Sequence, residues 1–151
     1  MISGPPGAGK TTKALFVVDE FHAIRFSPDE WMQASGISLR DSLAREFIEN
    51  TQLKIGLNFL KSNRDVVIEW GTWSRTERLA IIEAVTALGH QVWGYFLLPN
   101  LEELILRAER RDLKYPPGDR LSRSEIEVNL ESFETPKSDE LALYSRYWLE
   151  K

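Results

Sequence analysis

Residues 4–12 read Gly4-Pro5-Pro6-Gly7-Ala8-Gly9-Lys10-Thr11-Thr12 (GPPGAGKTT). Gly4, Gly9, Lys10 and Thr11 meet every fixed position of the pattern Gly-x-x-x-x-Gly-Lys-Ser/Thr. Glycines in such a loop let the backbone turn with successive N–H groups pointing inward, which makes a concave nest for an anion. Ile2, an apolar residue, precedes the loop, and Ala14, Leu15, Val17, Val18 and Phe21 follow at helical spacing from Lys10 to Phe21. A helix that starts at the loop adds the positive end of its dipole. Residues 4–12 are therefore expected to cradle the phosphates of ATP, with the Lys10 ammonium at the β- and γ-phosphates and the Thr11 hydroxyl on Mg²⁺. A Gly/Pro turn that merely precedes a helix is the alternative, and it leaves the flanking pattern unexplained.

Working outward, only Met1 and Ile2 precede Ser3, so the strand that feeds the loop is very short. A short strand over 22–26 follows the first helix, and Ser27-Pro28-Asp29 reads as a turn before a helix starting near Glu30. The 40–61 segment is helical, with Leu43, Phe47, Ile48, Ile55, Phe59 and Leu60 as its apolar positions. Val66-Val67-Ile68 is a buried strand run. Ser74-Arg75-Thr76-Glu77 is a capping-box pattern that opens a helix to about Leu88. A strand over 91–98, a helix over 100–111, a loop over 112–122, a helix over 122–133 and a last helix over 139–149 complete the reading. Strands that alternate with helices imply an α/β domain, its sheet parallel and covered on both faces. Residues 1–151 form one expected domain.

Bulk composition narrows the function. The chain has no Cys and only His22 and His90, which excludes thiolate catalysis and Cys- or His-rich metal sites. Its net charge of −4 supplies no basic field for nucleic acid and argues against a polynucleotide substrate. No apolar stretch approaches the roughly 18 residues of a membrane span, and no basic-then-apolar leader opens the chain. The cytoplasm is the expected compartment, and no membrane is an expected partner.

The loop alone does not separate switches, motors and kinases. No Asn-Lys-x-Asp occurs for guanine readout, and Val66-Val67-Ile68-Glu69 lacks the paired Asp-Glu of a mechanical ATPase. That leaves a small kinase as the favoured class. Asp29 follows the second strand, where the carboxyl ends of parallel strands converge on the phosphate crevice. There it can take a proton from a hydroxyl attacking the γ-phosphate, or cap the next helix with Ser27. Glu30 is the second choice as base. Glu69 ends the third strand and either holds metal-bound water, accepts a substrate hydrogen bond, or caps the strand. Arg107 and Arg111 share a helix face at i, i+4 beside the 112–122 loop, as an Arg-rich lid or as a solvated face. Arg110, Arg120 and Arg123 extend that cluster. Trp31, Trp70 and Trp73 flank Asp29 and Glu69 and could line an acceptor pocket or pack in the core. Arg75 opens the next helix, as a substrate ligand or in solvent. Trp93 and Trp148 read as packing residues.

The chain resembles the AAA_33-type kinases, the broad group of zeta toxins, chloramphenicol phosphotransferases and the kinase domain of polynucleotide kinases. The resemblance runs through GPPGAGKTT, RFSPDEW, VVIEWGTWSRTER, LILRAERRD and FETPKSDELALY. It implies a P-loop NTPase three-layer sandwich with a sheet of about five parallel strands. It also implies ATP- and Mg²⁺-dependent transfer to a hydroxyl of a small molecule or nucleotide, with Asp29 as general base and Arg107 and Arg111 as lid arginines. A non-catalytic ATP-binding module and a polynucleotide 5′-hydroxyl kinase are the alternatives. The chain departs from the family in its very short first strand and in Glu69, which stands where Asp is frequent and reaches about 1.3–1.5 Å farther.

Overall fold

The computed structural model describes residues 1–113 and 117–151. Residues 114–116 of the expected lid loop lie outside the described residues. Five strands form: β1 (Ile2–Ser3), β2 (Ile24–Phe26), β3 (Val66–Ile68), β4 (Trp93–Leu97) and β5 (Arg146–Glu150). The helices are α1 (Lys10–Phe21), α2 (Pro28–Ala34), α3 (Ser42–Lys61), α4 (Arg75–Thr86), α5 (Leu101–Asp112), α6 (Arg123–Ser132) and α7 (Ser138–Leu141), with a 3₁₀ turn at Pro117–Asp119.

Every strand pairing is parallel, and successive side chains of a strand enter opposite cores. Ile2, Val67 and Leu97 join Ala14 of α1, Leu104 and Ala108 of α5 and Ile126 of α6. Their neighbours Met1, Ile68 and Phe96 join Ile81 and Ile82 of α4 and Leu141 of α7, with Leu53 and Ile55 of α3 packed against them. This alternation makes the three-layer sandwich. Leu43 and Phe47, expected among the apolar positions of α3, are instead exposed at the helix's start. Among the described residues no helix is long and apolar enough to cross a membrane.

The sheet differs from an unbroken five-stranded one. Hydrogen bonds link β1, β4 and β5 in one ladder and β2 with β3 in another. A two-residue β1 offers few backbone groups, and those it has are aligned with Tyr95 and Phe96. Residues of β1 and β3 both border a cavity of about 490 Å³, and no ladder joins those two strands.

The last expected helix is also corrected. Only residues 138–141 are helical, and β5 takes the place of the helix's second half. Local periodicity does not register that β4 has an open edge. Pairing Arg146–Glu150 along Trp93–Leu97 satisfies that edge and stacks Trp148 on Tyr95, with centroids 4.2 Å apart and planes 5° from parallel. Trp148 also meets Trp93 edge-on at 6.0 Å, so both indoles pack against the sheet.

Candidate active site

The loop turns where side chains have no room. A Cβ on Gly4 would lie 2.6 Å from the carbonyl oxygen of Leu97, so the loop can cross the end of β4 only as glycine. Gly9, at φ 97°, supplies the left-handed residue from which α1 starts. Pro5 and Pro6 have no N–H, and the Ala8 amide donates to Pro5 O at 3.2 Å. The anion-facing donors of residues 4–12 are therefore the amides of Gly7 and of Gly9, Lys10, Thr11 and Thr12 at the first turn of α1, which has no intrahelical acceptors for them. Lys10 Nζ donates to the carbonyls of Gly4 (2.9 Å) and Pro5 (3.0 Å), which holds the ammonium at the mouth of the loop. Burial lowers its pKa to about 8, with Asp29 and Glu69 acting against that and Arg111 and Arg45 reinforcing it.

Those four neighbours share one cleft with Lys10. The cleft has a volume of about 400 Å³, and its lining includes Asp29, Arg45, Glu49, Glu69, Trp73 and Arg111. It opens where β2 and β3 end, as parallel-strand logic requires. Pro28 begins α2 with Ser27 as its N-cap, and the Ser27 side chain makes no capping bond, so Asp29 stands in the first helical turn. Asp29 Oδ1 is held by Arg45 Nη1 at 2.7 Å.

Glu69 lies at the end of β3 with its side chain buried. Arg25 of β2 pairs with Glu69 Oε1 and also with Glu30, so Glu30 is turned toward Arg25. Glu69 Oε2 is buried with no hydrogen-bond partner among the described residues. Burial raises the carboxyl's pKa, against the pull of the Ser27 hydroxyl, Arg25 and the Thr11 hydroxyl. An unpartnered carboxylate oxygen near the Thr11 hydroxyl is a donor set that fits Mg²⁺, which takes one or two protein oxygens and its remaining ligands from phosphates and water. Among the described residues no group of three or more acidic or His side chains forms a protein cage for a metal.

The two arginines expected in the lid reach different parts of the loop. Arg107 Nη1 donates to Ala8 O at 3.1 Å, and its Nη2 pairs with Glu103 one turn back. Arg111 lines the cleft on the Lys10 side. Arg123 pairs with Glu102 and Glu127. Trp70 and Trp73 line the cleft, with the Trp70 indole N–H donating to Gln52 Oε1 at 3.0 Å. Trp31 lies apart from them, on α2 against Phe26 with ring centroids 6.4 Å apart. Arg75 also lies apart. Its guanidinium forks onto Asp139 at 2.7 and 3.0 Å, which directs it away from the cleft.

Sequence reasoning missed Arg25 and Arg45, whose roles come from pairing across elements, and Glu49, which the fold brings to the cleft. It also missed a fully buried ion pair, Arg78 with Glu140 at 2.6 and 2.9 Å. Arg78 Nη1 donates in addition to the carbonyls of Thr72 and Trp73, both at 3.1 Å. It thereby holds the segment that carries Glu69 and Trp73 into the cleft. Thr72 in that segment has φ 41°, a costly conformation for a β-branched residue, and its hydroxyl hydrogen-bonds Ser3. The signal for Arg78 was available, because it falls on the same helical stripe as the buried Ile81 and Ile82.

Burial raises the Glu49 carboxyl from the ordinary 4.5 to about 7, with Glu77, Asp29 and Glu46 adding to the rise and Arg45 opposing it. The folded chain thus holds this proton more tightly than the unfolded chain does. Stability from this group is present below pH 4.5 and is lost as the pH rises through about 7. Glu49→Gln is expected to flatten that part of the curve, read as urea midpoints at pH 5 and pH 8. Identical pH slopes in the two proteins would contradict it.

The family model for the AAA domain AAA_33 matches residues 1–136. The chain belongs to that family. Solved structures of similar fold to this AAA_33 chain include a gluconokinase from Sinorhizobium meliloti 1021, with 20% identity and a TM-score of 0.60 over 91% of this chain and 75% of that one. Chaetomium thermophilum Kti12 in complex with ADP-AlF3 is 17% identical, with a TM-score of 0.68 over 98% of this chain and 86% of that one. A chain of the Pnkp1/Rnl/Hen1 RNA repair complex is 21% identical, with a TM-score of 0.70 over 87% of this chain but 42% of that one. At these identities the likeness is one of fold, and that fold is P-loop kinase-like. No curated protein sequence matches the chain.

Proposed function

We propose that this AAA_33 chain is an ATP- and Mg²⁺-dependent kinase that transfers the γ-phosphoryl group of ATP to a hydroxyl of a small molecule or nucleotide. The observation that carries the reading is the single cleft shared by Lys10, Asp29, Glu69 and Arg111. It brings a carboxylate that can take a proton to the same opening as the phosphate loop. The gluconokinase neighbour supports the class of reaction.

In this reading the amides at the start of α1 and the Lys10 ammonium bind the β- and γ-phosphates. Thr11 and Glu69 are the residues that would hold Mg²⁺, which supplies charge neutralisation at the phosphoryl oxygens when bound. Arg45 fixes the direction of Asp29 through their 2.7 Å contact. Asp29 takes the proton of the acceptor hydroxyl, whose oxygen forms the new bond to the γ-phosphorus as the bond to the ADP oxygen breaks. Arg111 stabilises the charge on the transferring group, and Arg107 braces the loop through Ala8 O. Trp73 faces the acceptor end.

The test is ADP formation across a panel of hydroxyl compounds, with the product identified by a mass gain of one phosphoryl group. ADP formation that rises with a particular acceptor, together with that phosphorylated product, is the expected result. Tight ATP binding with no acceptor phosphorylated would sink the kinase reading in favour of a non-catalytic ATP-binding module.

A further inference from the structure

The charges that line the cleft are unevenly committed. Among the described residues, four cations (Lys10, Arg40, Arg45 and Arg111) and four carboxylates (Asp29, Glu49, Glu69 and Glu77) border it. Lys10 is anchored to the loop carbonyls, and Arg111 lies near it. Arg45 is held by Asp29 and by Leu39 O at 3.3 Å. Arg40 reaches across to Glu125 at 2.6 Å and to the carbonyls of Arg120 and Gly118.

Among the carboxylates, Glu77 closes the α4 cap with the Ser74 amide at 3.1 Å. Glu69 is bonded through one oxygen, and its other oxygen is buried and unpartnered. Glu49 lies one helical turn beyond Arg45 on α3, half-buried, and its carboxylate receives no hydrogen bond from the described residues. Trp73, Leu39 and Leu121 supply apolar surface to the same cleft.

We propose that the acceptor end of this cleft takes an uncharged, polyhydroxylated ring compound, with Glu49 accepting a hydrogen bond from a ring hydroxyl and Trp73 covering the ring's C–H face. This rests on the kinase reading above. A half-buried carboxyl oxygen gains from a hydroxyl donor, because the hydrogen bond replaces lost hydration. An indole presents a flat apolar face that suits the C–H side of a sugar ring or nucleoside. An acceptor that already carries a phosphate or carboxylate would meet Asp29 and Glu77 where Arg40 and Arg45 are already paired within the protein, and like charges there oppose binding. The transferred group leaves ADP and forms a P–O bond to the oxygen of a ring hydroxyl, whose proton passes to Asp29.

The test incubates the full chain with ATP, Mg²⁺ and two matched panels, with products read by mass spectrometry. Glucose, ribose, myo-inositol, adenosine and uridine form the neutral panel. Glucuronate, glucose 6-phosphate, ribose 5-phosphate, AMP and UMP form the anionic one. Product is expected from a neutral compound at a rate at least about tenfold above that of its anionic counterpart. Glu49→Gln is expected to raise the KM of that neutral acceptor about tenfold and to narrow the discrimination, while ATP affinity holds. An anionic compound phosphorylated as fast or faster, or an unchanged KM in Glu49→Gln, overturns the assignment and leaves the kinase reading standing. No product in either panel from protein that binds ATP overturns both.

Discussion

Asp29→Asn is expected to slow phosphoryl transfer by about 10²–10⁴-fold while ATP affinity stays close to that of the unaltered protein. The substitution keeps the shape and one acceptor oxygen of the side chain and removes the capacity to take a proton. Its structural cost is small, because the Asp29–Arg45 pair is partly exposed and such pairs contribute about 0–1 kcal/mol. ATP binding depends on the loop amides and on Lys10, which donates to Gly4 and Pro5 and not to Asp29. The measurements are the steady-state rate with a phosphorylated acceptor in hand and ATP affinity by calorimetry. Transfer that persists in Asp29→Asn would move the base elsewhere. Glu30 is then poorly placed to substitute, because it does not line the cleft and is turned toward Arg25.

The second large effect concerns stability. Arg78→Leu is expected to lower the free energy of unfolding by about 3–5 kcal/mol, because it leaves the buried Glu140 carboxylate without a countercharge, with only the Tyr144 hydroxyl at 3.4 Å still donating to it. It also strips the carbonyls of Thr72 and Trp73 of a donor. The guanidinium lies near the rings of Phe133 and Phe96, at 5.7 and 6.0 Å from their centroids, so apolar surroundings already enclose it. For the same reason Arg78→Leu combined with Glu140→Leu should recover most of the loss, since a buried pair replaced by apolar side chains is often neutral. Urea unfolding of the single and double variants measures both. A single-variant loss below about 1 kcal/mol would show that the pair does not have the cost of breaking a buried ion pair.

The same two residues mark how far the sequence could be read. Asp29 was legible because its position depends on local order, a strand followed by a turn with Pro at the first helical position. Its partner Arg45 sits in a different helix, and nothing in the spacing along the chain pairs the two. Arg78 lay on the buried stripe of α4, so its burial was in principle visible. Glu140 stands in a polar run, Lys137-Ser138-Asp139-Glu140, and carries no such mark. Arg75 shows the converse. As the first residue of a helix near Glu69 it read as a substrate ligand or a solvated residue, and the fold brings Asp139 within reach of its guanidinium.

By itself the sequence determined the elements whose causes are local. These are the glycine-dependent loop and the helix it starts, the Ser74 cap, and the strand at 66–68. Each depends on side-chain chemistry within a few residues. Only the tertiary structure decided that residues 146–150 extend along β4 instead of coiling, that a two-residue β1 leaves the five strands in two ladders, and that Arg40 and Arg45 of the cleft are paired across elements. The reason is the same in each case. An unpaired strand edge or a buried charge must find its partner wherever the fold places one, and that partner lies too far along the chain for any local pattern to register.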